Sequence, residues 1–266
     1  MKKVVAVYEN TPPPLSLRFT MMNIAISQKI PSLSAIKGWE NVEIHECNEK
    51  LFPLSDLYPE RILIKPQYFI EGIEGSVEEC YVRDTVAKLL IKASKLLLNG
   101  HKLVVLDAWR SIDIQKIIFS RFKERLKRCY PNSSEKKLVD LTQKYVSLPS
   151  ASEDNPSPHN TGGAIDLSLI DTSGNYLNMG TSFDYFNEQS NTRYYEQQIE
   201  AGKKLSDEEL IASKNRRLLF YVMNRVGFTN YPDEWWHYDY GNQLWGKVKG
   251  KHAMYGKIAL QNWTQE

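Results

Sequence analysis

The chain has 266 residues, a net charge of +2, 42% apolar and 25% charged residues; this excludes wholesale disorder and suffices for one substantial core or two small ones. A charge so near zero leaves no electrostatic footprint for a nucleic-acid partner, and no apolar stretch approaches the roughly 18 residues that suggest a membrane span. The three cysteines, Cys47, Cys80 and Cys129, form no CxxC pair, which leaves reduced thiols rather than a thiolate zinc site or redox motif.

In chain order, the apolar run 4–7 breaks at Tyr8-Glu9-Asn10 and meets prolines. It is too short for a signal-peptide core, so a cytoplasmic location is expected. The first 75 residues offer only short β-like pieces, 3–8, 42–45 and 62–64, among prolines. From 77 to 98, Val82, Val86, Leu89, Leu90, Ala93, Leu96 and Leu97 recur at helical spacing, and Asn99-Gly100 supplies a stop. A strand over 102–107 follows, and Ala108-Trp109-Arg110-Ser111 leaves it. A second helix is predicted from 112 to about 128, its Lys and Arg forming a solvated face over Ile114, Ile117, Ile118, Phe119, Phe122 and Leu126. Asn132 with Glu135 is a candidate cap for a third helix through Tyr145. The segment 147–158, rich in Ser and Pro, reads as a loop. A strand over 164–169, a turn at 171–174 and a capping box at Ser206 and Glu209 complete the pattern, together with a helix ending near Val226-Gly227 and an aromatic strand over 234–240. Without a βαβ rhythm this predicts an α+β fold: a single domain over 1–266, with a small, largely antiparallel sheet and packed helices.

A catalytic zinc site takes three protein ligands and keeps one position open for water. Five histidines are available. His45, His101 and His252 belong to no recognisable ligand pattern and read as surface or structural residues. His159 and Asp166 lie in SPHNTGGAID, a loop ligand, a Gly-Gly turn and a strand. On that strand Ile165, Leu167 and Leu169 share one face, so Asp166 takes the other. Taken alone, this pair serves equally well as a loop cap and a salt bridge. The downstream EWWH shifts the balance, because Glu234 precedes His237 by three residues and can reach a metal-bound water without ligating the metal.

SxHxxGxAxD followed far downstream by ExWH resembles the signature of the VanX-type D-alanyl-D-alanine dipeptidases and their DD-carboxypeptidase relatives. Two further elements, Asp107-Ala108-Trp109-Arg110 and Met179-Gly180-Thr181-Ser182-Phe183-Asp184, stand in the same order, and the resemblance covers about residues 80–245. It implies a hedgehog/DD-peptidase-like fold and one zinc ion on His159, Asp166 and His237. It also implies Glu234 as general base and acid, and Arg110 as stabiliser of the oxyanion. Asp184 and Ser157 would hold the ammonium end of a small dipeptide, with Asp107 beside them orienting Arg110. Ser111 stands where the family has proline, which would relax the turn presenting Arg110. Extra length at 122–156 and 188–210 would cover the active site or serve assembly. Hydrolysis of D-Ala-D-Ala in cell-wall metabolism is the activity implied; the alternatives are a DD-carboxypeptidase acting on longer wall peptides and a non-catalytic zinc-binding module.

Overall fold

The computed structural model describes residues 13–98 and 100–260. Helix α1 (Leu15–Ser27) precedes β1 (Leu51–Pro53), β2 (Ile62–Ile64), the short α2 (Gln67–Ile70) and β3 (Tyr81–Arg83). Then come α3 (Asp84–Leu96), β4 (Lys102–Asp107), α4 (Ile112–Cys129), α5 (Glu135–Thr142) and β5 (Ala164–Ile170). The chain continues through α6 (Tyr194–Glu200), α7 (Asp207–Arg225), β6 (Thr229–Asn230), β7 (His237–Asp239) and α8 (Gln243–Lys249). The main sheet has the order β2-β4-β5-β7-β6, antiparallel except for the β2–β4 pair, and β1 pairs with β3 in a separate antiparallel ribbon. The α+β reading with a small, largely antiparallel sheet holds.

Alternation builds the sheet's two faces. Leu103 and Val105 of β4 join Ile165, Leu167 and Leu169 of β5 in the main core with α3 and α7. A second cluster forms where α4 lays Ile114, Ile118, Phe119 and Phe122 against Tyr68, Ile73 and Val146. The apolar stripe of α4 is therefore buried as its periodicity requires, and its basic residues face outward.

Several boundaries differ from expectation. The helix expected from 77 begins only at Asp84, because Tyr81–Arg83 pairs with β1 in register Leu51↔Arg83; cross-strand pairing overrides helical periodicity there. The cap of α5 is Ser134, whose hydroxyl accepts from Lys137 N at 3.3 Å, rather than Asn132, and the helix stops at Thr142. The segment 42–45 contributes one isolated bridge, Ile44↔Ala253, and no strand. The piece 3–8 and the stop residue Asn99 lie outside the described residues. Helix α1 had no helical signature to read: LSLRFTMMNIAIS is apolar on all sides, and Leu15, Leu17, Phe19 and Ile24 stay exposed while it packs on α7 and α3. The Ser206–Glu209 capping box opens α7 as expected. Cys47, Cys80 and Cys129 are free thiols. Among the described residues no helix is long and apolar enough to cross a membrane.

Candidate active site

The loop before β5 turns at Gly162 and Gly163. Gly162 has φ +70°, the left-handed region, and a Cβ on Gly163 would lie 2.5 Å from the Tyr240 carbonyl oxygen. Only glycines fit this path, which lets His159 and Asp166 face one point. The buried guanidinium of Arg83 fixes the loop from behind, donating from Nε to the Thr161 carbonyl at 2.7 Å. Across the sheet, Asp166 and His237 are direct partners on β5 and β7, the closest lateral relation two strands offer. A register shift in β4 between Val105 and Asp107 sets Asp107 opposite Asp166, a bulge that re-aims the strand end into the site.

Three ligand atoms converge there. His237 Nδ1 lies 3.0 Å from Asp166 Oδ1 and 3.3 Å from His159 Nε2, and His159 Nε2 lies 3.3 Å from Asp166 Oδ2. Each imidazole has its other nitrogen engaged: His159 Nδ1 donates to the Ala108 carbonyl at 2.7 Å, and His237 Nε2 donates to Asp239 Oδ1 at 3.1 Å. These bonds leave bare lone pairs on His159 Nε2 and His237 Nδ1, facing each other and a carboxylate inside a buried pocket. Such an arrangement calls for a cation. Tetrahedral ligands about 2.0–2.1 Å from zinc stand about 3.3–3.4 Å apart, close to the spacing here, so the donor set fits zinc. The electrostatics agree. Burial opposes charge on His237, yet Asp239 and Asp166 outweigh it and raise its affinity for a proton. Burial likewise opposes ionisation of Asp166, but His159 and His237 hold its carboxyl well below the usual range.

Glu234 was expected on a strand, but β7 begins only at His237. Residues 231–237 form a turn closed by Glu234 N to the Tyr231 carbonyl at 3.2 Å and His237 N to the Glu234 carbonyl at 3.3 Å. The turn brings Glu234 Oε2 to 3.9 Å from His237 Nδ1. In an extended strand, residues three apart would face opposite sides. Burial pushes the Glu234 carboxyl well up, opposed by His237 and reinforced by Asp166 and Asp184.

Arg110 enters the same cleft. Its Nη1 donates to Asp107 Oδ2 at 2.6 Å, its Nε to Gln115 Oε1 at 2.7 Å, and its carbonyl accepts from Asn160 Nδ2 at 3.1 Å. Ser111 caps α4, accepting from Ile114 N at 3.3 Å. Asp107 Oδ2 also lies 3.1 Å from His159 Nδ1, so it tethers a candidate ligand as well as the arginine. Asp184, at φ +56°, lines the cleft and accepts from the Tyr68 hydroxyl at 2.9 Å. Burial, with the Asp166 charge adding to it, raises the Asp184 carboxyl to about 8. Ser157 does not line the cleft: its hydroxyl accepts from Ser150 N at 3.1 Å and donates to the Leu148 carbonyl at 3.4 Å, tying down the loop.

The two tryptophans divide their work. Trp236 lines the cleft and packs edge-on against Phe183 and Phe186, while Trp235 donates to Thr181 Oγ1 at 2.8 Å on the far side. Within the segment 122–156, Gln143, Tyr145, Val146 and Ser147 wall the cleft. Within the segment 188–210, Glu196 pairs with Arg217 of α7 at 2.6 Å.

Sequence reasoning missed four neighbours. Asp239 had a signal, since a residue two along a strand shares the face of His237. Tyr68, Asn160 and Gln115 had none. Among the described residues one other group has metal-ligand chemistry, Glu43 with His45 and His252. It is exposed, and the Glu43 carboxylate already lies 3.0 Å from His45 Nε2 and 3.4 Å from His252 Nδ1.

Two imidazoles and a carboxylate converging at the foot of a cleft, with an acid and an arginine beside them, define a zinc metallopeptidase. The family model described as D-ala-D-ala dipeptidase, of the M15 peptidases, matches residues 74–257, and the chain belongs to that family. A D-alanyl-D-alanine dipeptidase of Synechocystis is 29% identical, covering 84% of this chain and 95% of that protein. One from Enterococcus faecium is 34% identical over 64% of this chain and 75% of its own length. Among solved structures, VanYB in complex with D-alanine-D-alanine aligns at a TM-score of 0.37 and 16% identity, covering 68% of this chain and 84% of that one.

Proposed function

We propose that this chain is a cytoplasmic zinc dipeptidase that hydrolyses D-alanyl-D-alanine, or a close D,D-dipeptide, to free amino acids, with the peptidase domain spanning the chain. The observation that carries the reading is the convergence of His159 Nε2, His237 Nδ1 and the Asp166 carboxylate within 3.3 Å of one another, each imidazole oriented by its other nitrogen. These three residues would hold the metal. When bound, zinc polarises the peptide carbonyl and lowers the pKa of a coordinated water to about 7.

The remaining steps fall to side chains. Glu234, its carboxyl made more basic by burial, takes the proton of the attacking water and passes it to the leaving amine. Arg110 keeps its charge because Asp107, Tyr68, Asp166 and Asp184 together outweigh the effect of burial, and it meets the negative charge developing on the carbonyl oxygen. Asp184, held by Tyr68, receives the substrate ammonium, whose charge offsets the burial of the carboxylate. Trp236 and Phe186 exclude water. The wall at 143–147 encloses one side of the cleft, which favours a dipeptide over a longer chain. Manufacture of the dipeptide wall precursor in the cytoplasm supports that location.

A substrate panel tests this. D-Ala-D-Ala is cleaved, and its L,L counterpart and a wall pentapeptide are not; cleavage of the pentapeptide but not the dipeptide would make the protein a DD-carboxypeptidase. Glu234→Ala keeps about one zinc per chain and loses roughly 10²- to 10⁴-fold in turnover; undiminished turnover removes Glu234 as the base.

A further inference from the structure

Gln115 sits in the first turn of α4, five residues after Arg110 and only 1% exposed. Helical side chains lean toward the N-terminus, so from this position Gln115 reaches back across the Ser111 cap to the arginine. Its two amide atoms have partners of opposite kind. Oε1 accepts from Arg110 Nε at 2.7 Å, and Nε2 donates to the Ser147 carbonyl at 2.7 Å. Arginine can only donate and a carbonyl can only accept, so the orientation of the amide is unambiguous.

The two contacts lie on functionally different groups. With Nε on Gln115 and Nη1 on Asp107 and the Tyr68 hydroxyl (3.4 Å), two edges of the guanidinium are fixed and its rotation about the side-chain axis is blocked. On the other side, Ser147 ends the 143–147 segment that walls the cleft. This segment reaches the site as a loop after α5, without a strand of its own.

We propose that Gln115 is a positioning residue that aims Arg110 into the cleft and latches the 143–147 wall to it, setting the oxyanion partner and the length limit of the substrate together. The proposal rests on the reading of Arg110 and of the cleft given under Proposed function. Gln115 is buried and is not among the residues that line the cleft. Its acceptor half acts through Arg110 on the rate, and its donor half acts through Ser147 on how long a peptide fits. Without Gln115, Asp107 and Tyr68 hold the guanidinium only at Nη1 and leave it free to pivot about that end, and a displacement of about an ångström at such a group costs on the order of 100-fold in rate.

Two substitutions separate the halves. Gln115→Met removes both bonds, whereas Gln115→Glu, the same shape, keeps the acceptor for Arg110 and sets an oxygen against the Ser147 carbonyl. Each is purified with zinc, and its metal content and melting temperature are checked. Steady-state kinetics are then measured on D-Ala-D-Ala and on a tripeptide ending in D-Ala-D-Ala. For Gln115→Met, kcat on the dipeptide falls roughly 10- to 100-fold with KM within about threefold. Gln115→Glu recovers most of that kcat while its preference for the dipeptide over the tripeptide drops. In an Arg110→Lys background, which lacks the Nε donor, Gln115→Met adds less than about twofold. Equal kcat in wild type and Gln115→Met, or an undiminished effect in the lysine background, overturns the aiming role. Unchanged dipeptide preference in Gln115→Glu overturns the latch. If Gln115→Met does not fold, Gln115→Glu and Gln115→Asn carry the comparison. A wild-type protein that cleaves neither peptide overturns the functional reading itself, an outcome separate from an active wild type insensitive to Gln115.

Discussion

Replacing Asp239 will weaken zinc binding without touching a metal ligand. Asp239 is fully buried, and its Oδ1 accepts from His237 Nε2 at 3.1 Å and from Asn242 Nδ2 at 2.6 Å. The first bond pins the proton on Nε2 and leaves Nδ1 bare. The charge also acts through the ring. With Oδ1 3.1 Å from Nε2, it stands about 7 Å from a cation bound at Nδ1, worth about 2.4 kcal/mol per unit of positive charge at an effective dielectric of 20. Loss of a carboxylate behind a ligating histidine typically costs 10- to 100-fold in metal affinity, about 1.4–2.7 kcal/mol, in the same range. Asp239→Asn keeps an acceptor but removes the charge, and its amide nitrogen would occupy the place of Oδ2, which has no hydrogen-bond partner among the described residues. Asp239→Ala also frees the tautomer and is expected to lose more. Competition with a chromophoric chelator measures the zinc dissociation constant of each variant, and circular dichroism checks the fold. Wild-type affinity in both variants refutes the claim that Asp239 orients and polarises His237.

Ser111→Pro tests whether Arg110 depends on its turn. Ser111 already has φ −68°, which proline's ring accepts. The lost cap costs about 1 kcal/mol and the stiffer unfolded chain returns about 0.4–1. The melting temperature is expected to move by no more than a few degrees, and kcat/KM to stay within about threefold, because Asp107, Gln115 and Asn160 hold the arginine; a large loss of kcat/KM in a folded variant refutes this. Asp184 gives a pH signature in zinc-free protein. Its folded carboxyl is raised to about 8 from an ordinary 3.8, so the folded state binds the extra proton and this group's contribution to stability falls as pH rises from about 4 to about 8. Asp184→Asn is expected to flatten urea midpoints across that window; identical slopes would show that Asp184 titrates normally.

The sequence by itself determined what a short stretch of backbone can encode. Alternation over Ala164–Ile170 fixed which face Asp166 takes, Gly162 and Gly163 fixed the turn that sets His159 beside it, and Ser206 with Glu209 fixed a helix start. The core stripe of α4 was legible for the same reason: three or four residues of periodicity carry it. Tertiary structure alone decided the partners. Asp166 meets His237 through the register of β5 on β7, and Asp107 reaches His159 through a bulge in β4. Tyr68 comes to Asp184 across 116 positions of chain. Glu234 faces His237 because a turn replaces the expected strand, a choice made by the hydrogen bonds of residues 231–237 rather than by their β propensity. The candidate ligands and the candidate base were nameable from the sequence because the family signature it resembles points to them residue by residue. The groups that orient them were not, since a hydrogen bond between distant segments leaves no period in the sequence, and only packing decides which carboxylate or amide stands behind a histidine or an arginine.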